Sequence, residues 1–382
     1  MATVRVPIAL PLLLWARSRG GRDDDDMRRK FARWDQWVTG EERPTLKQAQ
    51  DLARFSHVPF GMLLLPRPPR SELPIPDFRR GRGASTEPSQ NLLDIIHLAQ
   101  RRQDWFREHL LQVGADELPF VESGRDRPVD EVAAAIRRAL DFEVPRTGMR
   151  SADDARKHLV RKFEELGGLV SVSSMVGNDT HRGLDPEEVQ GFTLHDRLAP
   201  YVFVNAADSK ATQVFSLLHE LAHVWHGDTG LSAEGFGSEG DGIEAWCNRV
   251  AAEVAVPKAD LRTRFDSTAS DLTRELDRLA RTYLCSTIVI LLRLRDTSLL
   301  SGIDFDAAYR AEVDRLAEFR AGSGDGGGDF YLNQPYRIGE TLSRALIRDA
   351  LAGQTPFTEA MSLMSLSNMS VFDKYAAHLG EV

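Results

Sequence analysis

The residues best suited to chemistry in this sequence lie in the stretch 211–227. His219, Glu220 and His223 form the pattern H-E-x-x-H, and the run before it is mostly apolar, as in a helix that crosses a core. Residues four apart on an α-helix project from one face, so the two imidazoles can hold one Zn²⁺ from a single turn. Glu220 lies about 100° round the helix axis from His219. Its carboxylate can therefore reach a water on the metal and act as the catalytic general base.

A second stretch, 243–257, offers a third metal ligand. Glu244 follows His223 by twenty-one residues, a spacing at which H-E-x-x-H…E sites take a ligand from a second helix. Apolar residues follow it, and a buried carboxylate needs a partner. We therefore predict that His219, His223 and Glu244 hold the zinc ion. Asn248, one helical turn after Glu244, is predicted to hydrogen-bond a liganding imidazole and fix its tautomer.

Other polar and aromatic residues near the motif have open roles. His226 shares a helix face with His219 and could stabilise an oxyanion, ligate the metal or be a solvated histidine at a helix end. Further candidates for the oxyanion donor are His195, Tyr331 and Tyr336. Trp225 and Trp246 are expected to pack in the core rather than to line a substrate pocket.

The composition limits the class of protein. A chain of 382 residues with 42% hydrophobic residues predicts two or three domains with a sizeable core. A net charge of −9 argues against a protein that coats nucleic acid without regard to sequence. Two cysteines, Cys247 and Cys285, are too few for a disulfide framework and fall in predicted helix interiors, which favours a reducing, cytoplasmic location.

Neither a membrane span nor a secretion signal is predicted. No run approaches 18 apolar residues, so we expect no membrane partner. The apolar N-terminal run is short, contains two prolines and ends at Arg17 and Arg19 without a small-residue cleavage pattern. It is therefore predicted to be a first core helix.

The periodicity predicts an α+β fold that is mostly helical, with a small antiparallel or mixed sheet. Strand-like runs at 169–176, 191–194 and 201–205 come directly before the zinc helix. An edge strand beside the site could pair with an extended peptide. The predicted segments are 1–65, a helix-turn-helix-like domain; 66–86, a linker; 87–150, a helical connecting region; 151–260, a metallopeptidase core; 261–320, a helical extension; and 329–382, a C-terminal helical section.

Finer signals mark where helices start and where the chain breaks. Thr45, after Pro44, is a predicted N-cap for a helix that follows it. Thr355 is a predicted N-cap with Pro356 at the first helical position. The glycine-rich stretch 321–328 predicts a flexible break.

Taken together, these motifs resemble the ImmA/IrrE-like family of zinc metallo-endopeptidases, in the subgroup with an N-terminal XRE-like helix-turn-helix. The resemblance rests on Phe215-x-x-x-His219-Glu220-Leu221-Ala222-His223, Ile243-Glu244-Ala245-x-x-Asn248-x-x-Ala251-Ala252-Glu253-x-x-x-Pro257, Gly191-Phe192-Thr193, Val202-x-Val204-Asn205, Trp37-x-x-Gly40, Pro44-Thr45-Leu46-Lys47-Gln48, the run 63–69 and Asp77-Phe78-Arg79. It implies a zincin-like core, with His219, His223 and Glu244 as metal ligands and Glu220 as the catalytic base.

The N-terminal part departs from what DNA binding would need. Four consecutive acids, Asp23–Asp26, fall near where a helix-turn-helix would approach phosphates, and Val38 stands where the subgroup often has Glu. DNA binding through residues 1–65 and a docking or dimerising role for them both stay open, as does a homodimer.

The motifs and the family resemblance support three hypotheses about function. The first is a zinc endopeptidase that cleaves a specific regulatory protein, such as a repressor-like partner, in a stress, mobile-element or toxin–antitoxin type of module. The second is a DNA-binding transcriptional regulator or antitoxin-like partner that uses the fold to sense or bind. The third, a purely structural zinc domain, has no need of the general base Glu220 and is the weakest.

Overall fold

Residues 4–69, 72–77, 88–232, 242–269, 271–300, 302–322 and 330–382 are described by a computed structural model, with the backbone alone for 319–322. The chain forms two compact units: unit 1 comprises Met1–Pro74 and Ser85–Asp94, and unit 2 comprises Ile75–Ala84 and Ile95–Val382. The predicted division into six shorter segments stays a prediction. Residues 323–328 of the predicted break and linker residues 70, 71 and 78–86, with Phe78 and Arg79 among them, lie outside the described residues.

Unit 1 is built from short helices around its own apolar cluster. Its helices are α1 (Leu10–Arg19), α2 (Asp24–Lys30), α3 (Trp34–Thr39), α4 (Leu46–Phe55) and a 3₁₀ helix (Phe60–Leu64). Trp34 and Leu52 are among the residues buried at its centre. Thr45 caps α4 as predicted, in a reciprocal pair of hydrogen bonds with Gln48.

The acidic run at the start of α2 is neutralised within unit 1. Asp23 accepts a hydrogen bond from the backbone N–H of Asp26 at 2.7 Å and so caps the helix. The other acids pair with arginines: Asp24 with Arg17, Asp25 with Arg28 and Asp26 with Arg29. Carboxylates at a helix N-terminus are favourable, so this run has a local structural role.

Unit 2 is mostly helical. The long helix α5 (Gln90–Val113) begins in unit 1 and continues in unit 2. The remaining helices are α6 (Val129–Ala139), α7 (Ala152–Glu165), α8 (Lys210–His226), α9 (Ile243–Ala255), α10 (Lys258–Arg264), α11 (Leu272–Tyr283), α12 (Thr287–Asp296), α13 (Phe305–Gly322), α14 (Phe330–Ile338), α15 (Glu340–Leu351), α16 (Phe357–Leu363) and α17 (Met369–His378). Among the described residues, no helix is long and apolar enough to cross a membrane.

A four-stranded sheet lies directly before and after α8 in the chain. Its strands are β1 (Leu169–Ser173), β2 (Gly191–Leu194), β3 (Tyr201–Asn205) and β4 (Gly230–Ser232), in the order β1-β3-β2-β4. β1 pairs with β3 in parallel, whereas β2 is antiparallel to both β3 and β4. The predicted α+β class with a small mixed sheet is therefore confirmed. The first strand ends at Ser173 rather than at Val176, and β4 is a strand that the sequence pattern did not predict.

The strands are buried along their whole length because helices cover the sheet. This burial explains their nearly continuous apolar sequence, which contrasts with the alternation of a half-exposed strand. The main core joins side chains of β1 and β3 to those of α6 to α9, α11 and α12. The predicted metal-binding motif on α8 therefore lies on a helix that is packed on several sides.

The C-terminal helices pack against the sheet at β1. The hydroxyl of Ser171 on β1 donates to the carbonyl of Ile338 at 3.1 Å. Arg102, which is buried on α5, donates to the carbonyl of Leu363 at 2.8 Å. Since β1 and β4 are opposite edges of the sheet, this C-terminal packing lies at the edge far from β4.

Two local predictions are corrected by tertiary contacts. Thr355 does not cap a helix: α16 begins at Phe357 with Pro356 as its N-cap residue. The hydroxyl oxygen of Thr355 instead accepts a hydrogen bond from the indole N–H of Trp105 at 3.1 Å. Cys285 is buried at the junction between α11 and α12, not inside a helix, although both cysteines are free.

A cavity of about 930 Å³ lies beside α7, and Glu164 is one of its lining residues. Burial raises the pKa of the Glu164 carboxyl from 4.5 to about 8. Its Oε1 accepts a hydrogen bond from the backbone N–H of Thr341 at 3.3 Å, which only partly opposes the burial.

We predict that Glu164→Gln changes how stability depends on pH. A carboxyl whose pKa is raised in the folded state adds most to stability below its unfolded pKa, and that contribution is lost as the pH rises toward 8. The variant should therefore come close to the wild type near pH 5 and exceed it by about 4 kcal/mol near pH 8.5, at about 1.36 kcal/mol for each pH unit between 5 and 8. Urea unfolding at both pH values measures this. A constant difference between the two proteins across that range would contradict the prediction.

Candidate metal centre

Helix α8 presents His219, Glu220 and His223 from a fixed turn. The hydroxyl of Ser209 caps its start by accepting from the backbone N–H of Thr212 at 3.2 Å. Gly227 ends it at φ +92°, a conformation that glycine adopts without strain, and donates to the carbonyl of His223 at 2.7 Å. The helix is buried from Gln213 to Trp225, so the motif cannot move without disturbing the core.

Helix α9 brings Glu244 to the same place. Glu244 lies in the first turn of α9, where the helix dipole favours a carboxylate. The other end of the helix is tied down by three arginines: Arg137 donates to the carbonyl of Glu253, Arg146 to that of Ala255 and Arg293 to that of Val256. Arginines on terminal carbonyls stabilise a helix end. α9 is therefore held at its far end while Glu244 faces α8.

The three predicted ligands converge. The Nε2 atoms of His219 and His223 are 3.1 Å apart, and the Glu244 carboxylate lies 3.2 Å from the first and 3.0 Å from the second. Bonds of about 2.0–2.1 Å to a tetrahedral zinc place neighbouring ligand atoms about 3.3 Å apart. The observed separations match that spacing, and the donor set of two imidazoles and one carboxylate suits a divalent cation.

The charges in this cluster are strongly coupled. Burial alone would lower the pKa of His219 and raise that of Glu244. Their mutual hydrogen bonds outweigh the burial, so the pKa of His219 is raised and that of Glu244 is held well below its usual range. Positive charge is therefore favoured between these groups, as a proton or as a bound cation.

Asn248 and Ser232 contact the His219 ring at its two nitrogens. Asn248 Oδ1 lies 2.9 Å from His219 Nδ1 and accepts its N–H, which leaves the lone pair of Nε2 directed at the cluster. The hydroxyl of Ser232, on β4, lies 3.3 Å from that Nε2. Asn248 on α9 and Ser232 on β4 together therefore fix the orientation of the His219 ring.

The carboxylate of Glu220 points toward β2. The hydroxyl of Thr193 lies 2.8 Å from Glu220 Oε2 and 3.0 Å from its backbone carbonyl. A Cβ at Gly191 would lie 2.7 Å from Glu220 Oε1, so only glycine leaves room for this carboxylate. Burial raises the pKa of Glu220, which prepares the group to take up a proton.

The other candidates named from the sequence are held by different partners. His226 pairs with Asp228 and packs edge-on against Trp246. His195 Nε2 lies 2.9 Å from Glu122 Oε1. Tyr331 packs against His378, and Tyr336 lines the cavity beside α7 under the guanidinium of Arg156. Trp225 is buried in the core and stacks on Phe120, which fits the packing role expected for it.

Gly191, Thr193 and Ser232 belong to this site, although they were not predicted as site residues from the sequence. A signal existed for the first two, because residues two apart on a strand face the same side. A glycine and a threonine on one face of a buried apolar strand could have indicated that a polar group approaches there. Ser232 had no such signal, since β4 is only three residues long.

Comparisons with protein families agree with the geometry. Residues 174–295 match the peptidase M78 family, described as an IrrE N-terminal-like domain, and this range contains all five predicted site residues, Asn248 included. The resemblance to the ImmA/IrrE-like family is therefore confirmed for this part of the chain, and the family implies a metal. Residues 338–378 match a domain of unknown function, DUF8813. No curated protein matches the chain.

We predict that Gly191→Ala destabilises unit 2. The added methyl group would meet both Glu220 and the carbonyl of Phe203 at 2.9 Å or less, and overpacking of this kind costs about 1–3 kcal/mol. Thermal unfolding measures the loss. Gly183→Ala is the matched control, because its added Cβ meets nothing within 4 Å. Equal stability of the two variants would show that the Glu220 pocket tolerates a side chain.

We also predict that Glu244→Ala lowers zinc affinity by at least ~100-fold, because it removes one of three ligands from the cluster. Zinc content after dialysis against a chelator, measured by mass spectrometry, tests this. Glu220→Gln should retain zinc, as should Glu108→Ala, whose side chain is 67% exposed on α5. Retention of zinc by Glu244→Ala would refute its role as a ligand.

Proposed function

We propose that this chain, in which residues 174–295 match the IrrE N-terminal-like domain of the peptidase M78 family, is a zinc-dependent endopeptidase. The substrate proposed is a specific regulatory protein, such as a repressor-like partner in a stress, mobile-element or toxin–antitoxin type of module. One observation carries the proposal: a His–His–Glu ligand set forms beside a separate carboxylate, Glu220, which is not one of the ligands and is hydrogen-bonded by Thr193.

The two carboxylates at the site have different positions, since Glu244 belongs to the ligand set and Glu220 does not. This difference supports a catalytic rather than a structural metal. His219, His223 and Glu244 would hold the ion. Zinc, when bound, supplies a Lewis acid that polarises a peptide carbonyl and lowers the pKa of a water. A three-residue ligand set leaves room for that water, whereas structural zinc sites use four protein ligands. Among the described residues, no further His, Cys, Asp or Glu joins the cluster.

Glu220 is suited to move the proton. Its carboxylate is buried at 1% exposure, and the hydroxyl of Thr193 holds one of its oxygens. Glu220 would accept a proton from the attacking water and return it to the leaving amine. The raised pKa of Glu220 favours the protonated form that this second transfer needs. Ser232, whose hydroxyl lies 3.3 Å from His219 Nε2, is a candidate donor for the developing oxyanion.

Glu220→Gln tests the proposal because it keeps the shape and the metal ligands but removes the base. We predict that wild-type protein cleaves a partner that co-purifies with Glu220→Gln, and that the variant itself does not cleave it. Loss should be on the order of 10³-fold or more, since general acid–base catalysis and water activation are both removed. New N-termini identified by mass spectrometry would report the cleavage.

Two controls make the result specific. Glu108→Gln makes the same chemical change at an exposed position and should cleave like the wild type. Removal of zinc by 1,10-phenanthroline should stop cleavage, and added zinc should restore it. A biological effect that survives Glu220→Gln would instead favour the second interpretation, a DNA-binding regulator or antitoxin-like partner that senses or binds through this fold.

A further inference from the structure

Strand β4 is both a sheet edge and a wall of the metal centre. It pairs with β2 on one side only, in the register Gly191↔Ser232 and Phe192↔Leu231. The carbonyl of Ser232 accepts from the backbone N–H of Gln190 at 3.1 Å, so Ser232 turns its backbone toward β2. Its hydroxyl lies 3.3 Å from His219 Nε2. The outer side of β4 is therefore where an extended peptide would add a strand next to the cluster.

That outer side is already paired with a segment of the same chain. The backbone N–H of Leu231 donates to the carbonyl of Pro76 at 3.0 Å, and Asp77 forms a parallel bridge with Leu231. Ile75 is buried at 6% exposure, whereas Pro74 and Pro76 on either side of it are exposed. Residues 75–77 thus contact β4 through this isolated bridge, and the buried side chain of Ile75 anchors them.

The sequence of this segment limits how firmly it can pair. Pro74 and Pro76 have no N–H to donate, and each restricts the residue before it to an extended conformation. A strand with prolines at alternate positions suits an edge but cannot be the centre of a longer ladder. The segment therefore favours the extended conformation that pairing with β4 needs, but its two prolines add no N–H donors. A peptide with a full set of N–H groups could form more backbone hydrogen bonds in its place.

We propose that residues 75–77 are an internal occupant of the substrate edge of β4. An extended peptide pairs with Leu231 beside the metal centre only after this segment leaves. The proposal rests on the proposed peptidase function and adds a form of regulation to it: the chain covers its own peptide-binding edge. The partner is defined by chemistry, as a polypeptide that offers backbone N–H and C=O groups in an extended conformation.

Two probes distinguish binding at the zinc ion from binding at the edge of β4. Acetohydroxamate needs only the zinc ion, whereas the tripeptide hydroxamate Ac-Ala-Ala-Ala-NHOH needs the zinc ion and the edge of β4. Ile75→Asp places a charge at a buried position and should release the segment. Leu65→Asp is the matched control, because it makes the same kind of change at a side chain that is 40% exposed.

Calorimetric titration of the zinc-loaded full chain measures both affinities. If the segment occupies the edge about 90% of the time, Ile75→Asp should bind the tripeptide hydroxamate about 10-fold more tightly than the wild type. Acetohydroxamate should bind both proteins equally, and Leu65→Asp should behave as the wild type with either probe. Equal affinity of wild type and Ile75→Asp for the tripeptide hydroxamate would overturn the proposal.

The side-chain methyl NMR signal of Ile75 in the wild type tests the same idea without a variant that could misfold, because this side chain is buried at 6% exposure while the segment lies on β4. Saturating tripeptide hydroxamate should move the signal to the position of an exposed isoleucine, and acetohydroxamate should leave it unchanged. A signal that keeps its buried position with both probes would identify the segment as permanently attached to β4. If acetohydroxamate binds in a zinc-dependent way but the tripeptide hydroxamate gives none of the expected differences, the proposal for residues 75–77 fails and the peptidase proposal remains. If neither hydroxamate binds, both proposals fail.

Discussion

Two imidazoles and a carboxylate buried within 3.0–3.2 Å of one another impose the main constraint on unit 2. Ionisable groups that are buried this close together are stable only with positive charge between them. Their desolvation costs free energy, and so does the close approach of imidazole nitrogens and carboxylate oxygens that all act as acceptors. The surrounding structure keeps them together nonetheless. α8 is capped at both ends and buried through its motif, and α9 is tied at its far end by arginines that bind its last carbonyls. Packing thus supplies the rigidity that a metal centre needs before any ion binds.

The sheet separates the roles of two acidic side chains that the sequence places only twenty-four residues apart. Glu244 faces the imidazoles from α9, whereas Glu220 is drawn toward β2 by the hydroxyl of Thr193 and by the space that Gly191 leaves. Opposite environments give the two carboxyls opposite pKa shifts, downward for Glu244 and upward for Glu220. One is thereby suited to bind a cation and the other to carry a proton, the assignment on which the proposed hydrolysis depends.

Both edges of this small sheet are covered, by different means. Along β1 the C-terminal section packs through Ser171 and the carbonyl of Ile338, far from the metal centre. On β4 a proline-flanked segment, residues 75–77, forms a single bridge at Leu231, one residue from Ser232. An open edge is a site for unwanted pairing, so covering it protects the protein. At β4 the same cover lies on the edge proposed to bind a peptide, so in that proposal protection of the sheet and control of the site are linked.

The sequence by itself determined the features that depend on contacts within a turn or a strand. The spacing of His219 and His223 puts them on one face of any helix, and apolar runs identified β2 and β3 because local periodicity sets which side chains share a face. Only the tertiary structure decided which residues meet across long separations. It joined Thr193 to Glu220, Ser232 to His219 and residues 75–77 to β4, and it paired Thr355 with Trp105 instead of placing it at a helix cap. Such pairs depend on how whole elements pack, since the core that brings them together is formed by side chains distant in the chain, and no local pattern encodes that distance.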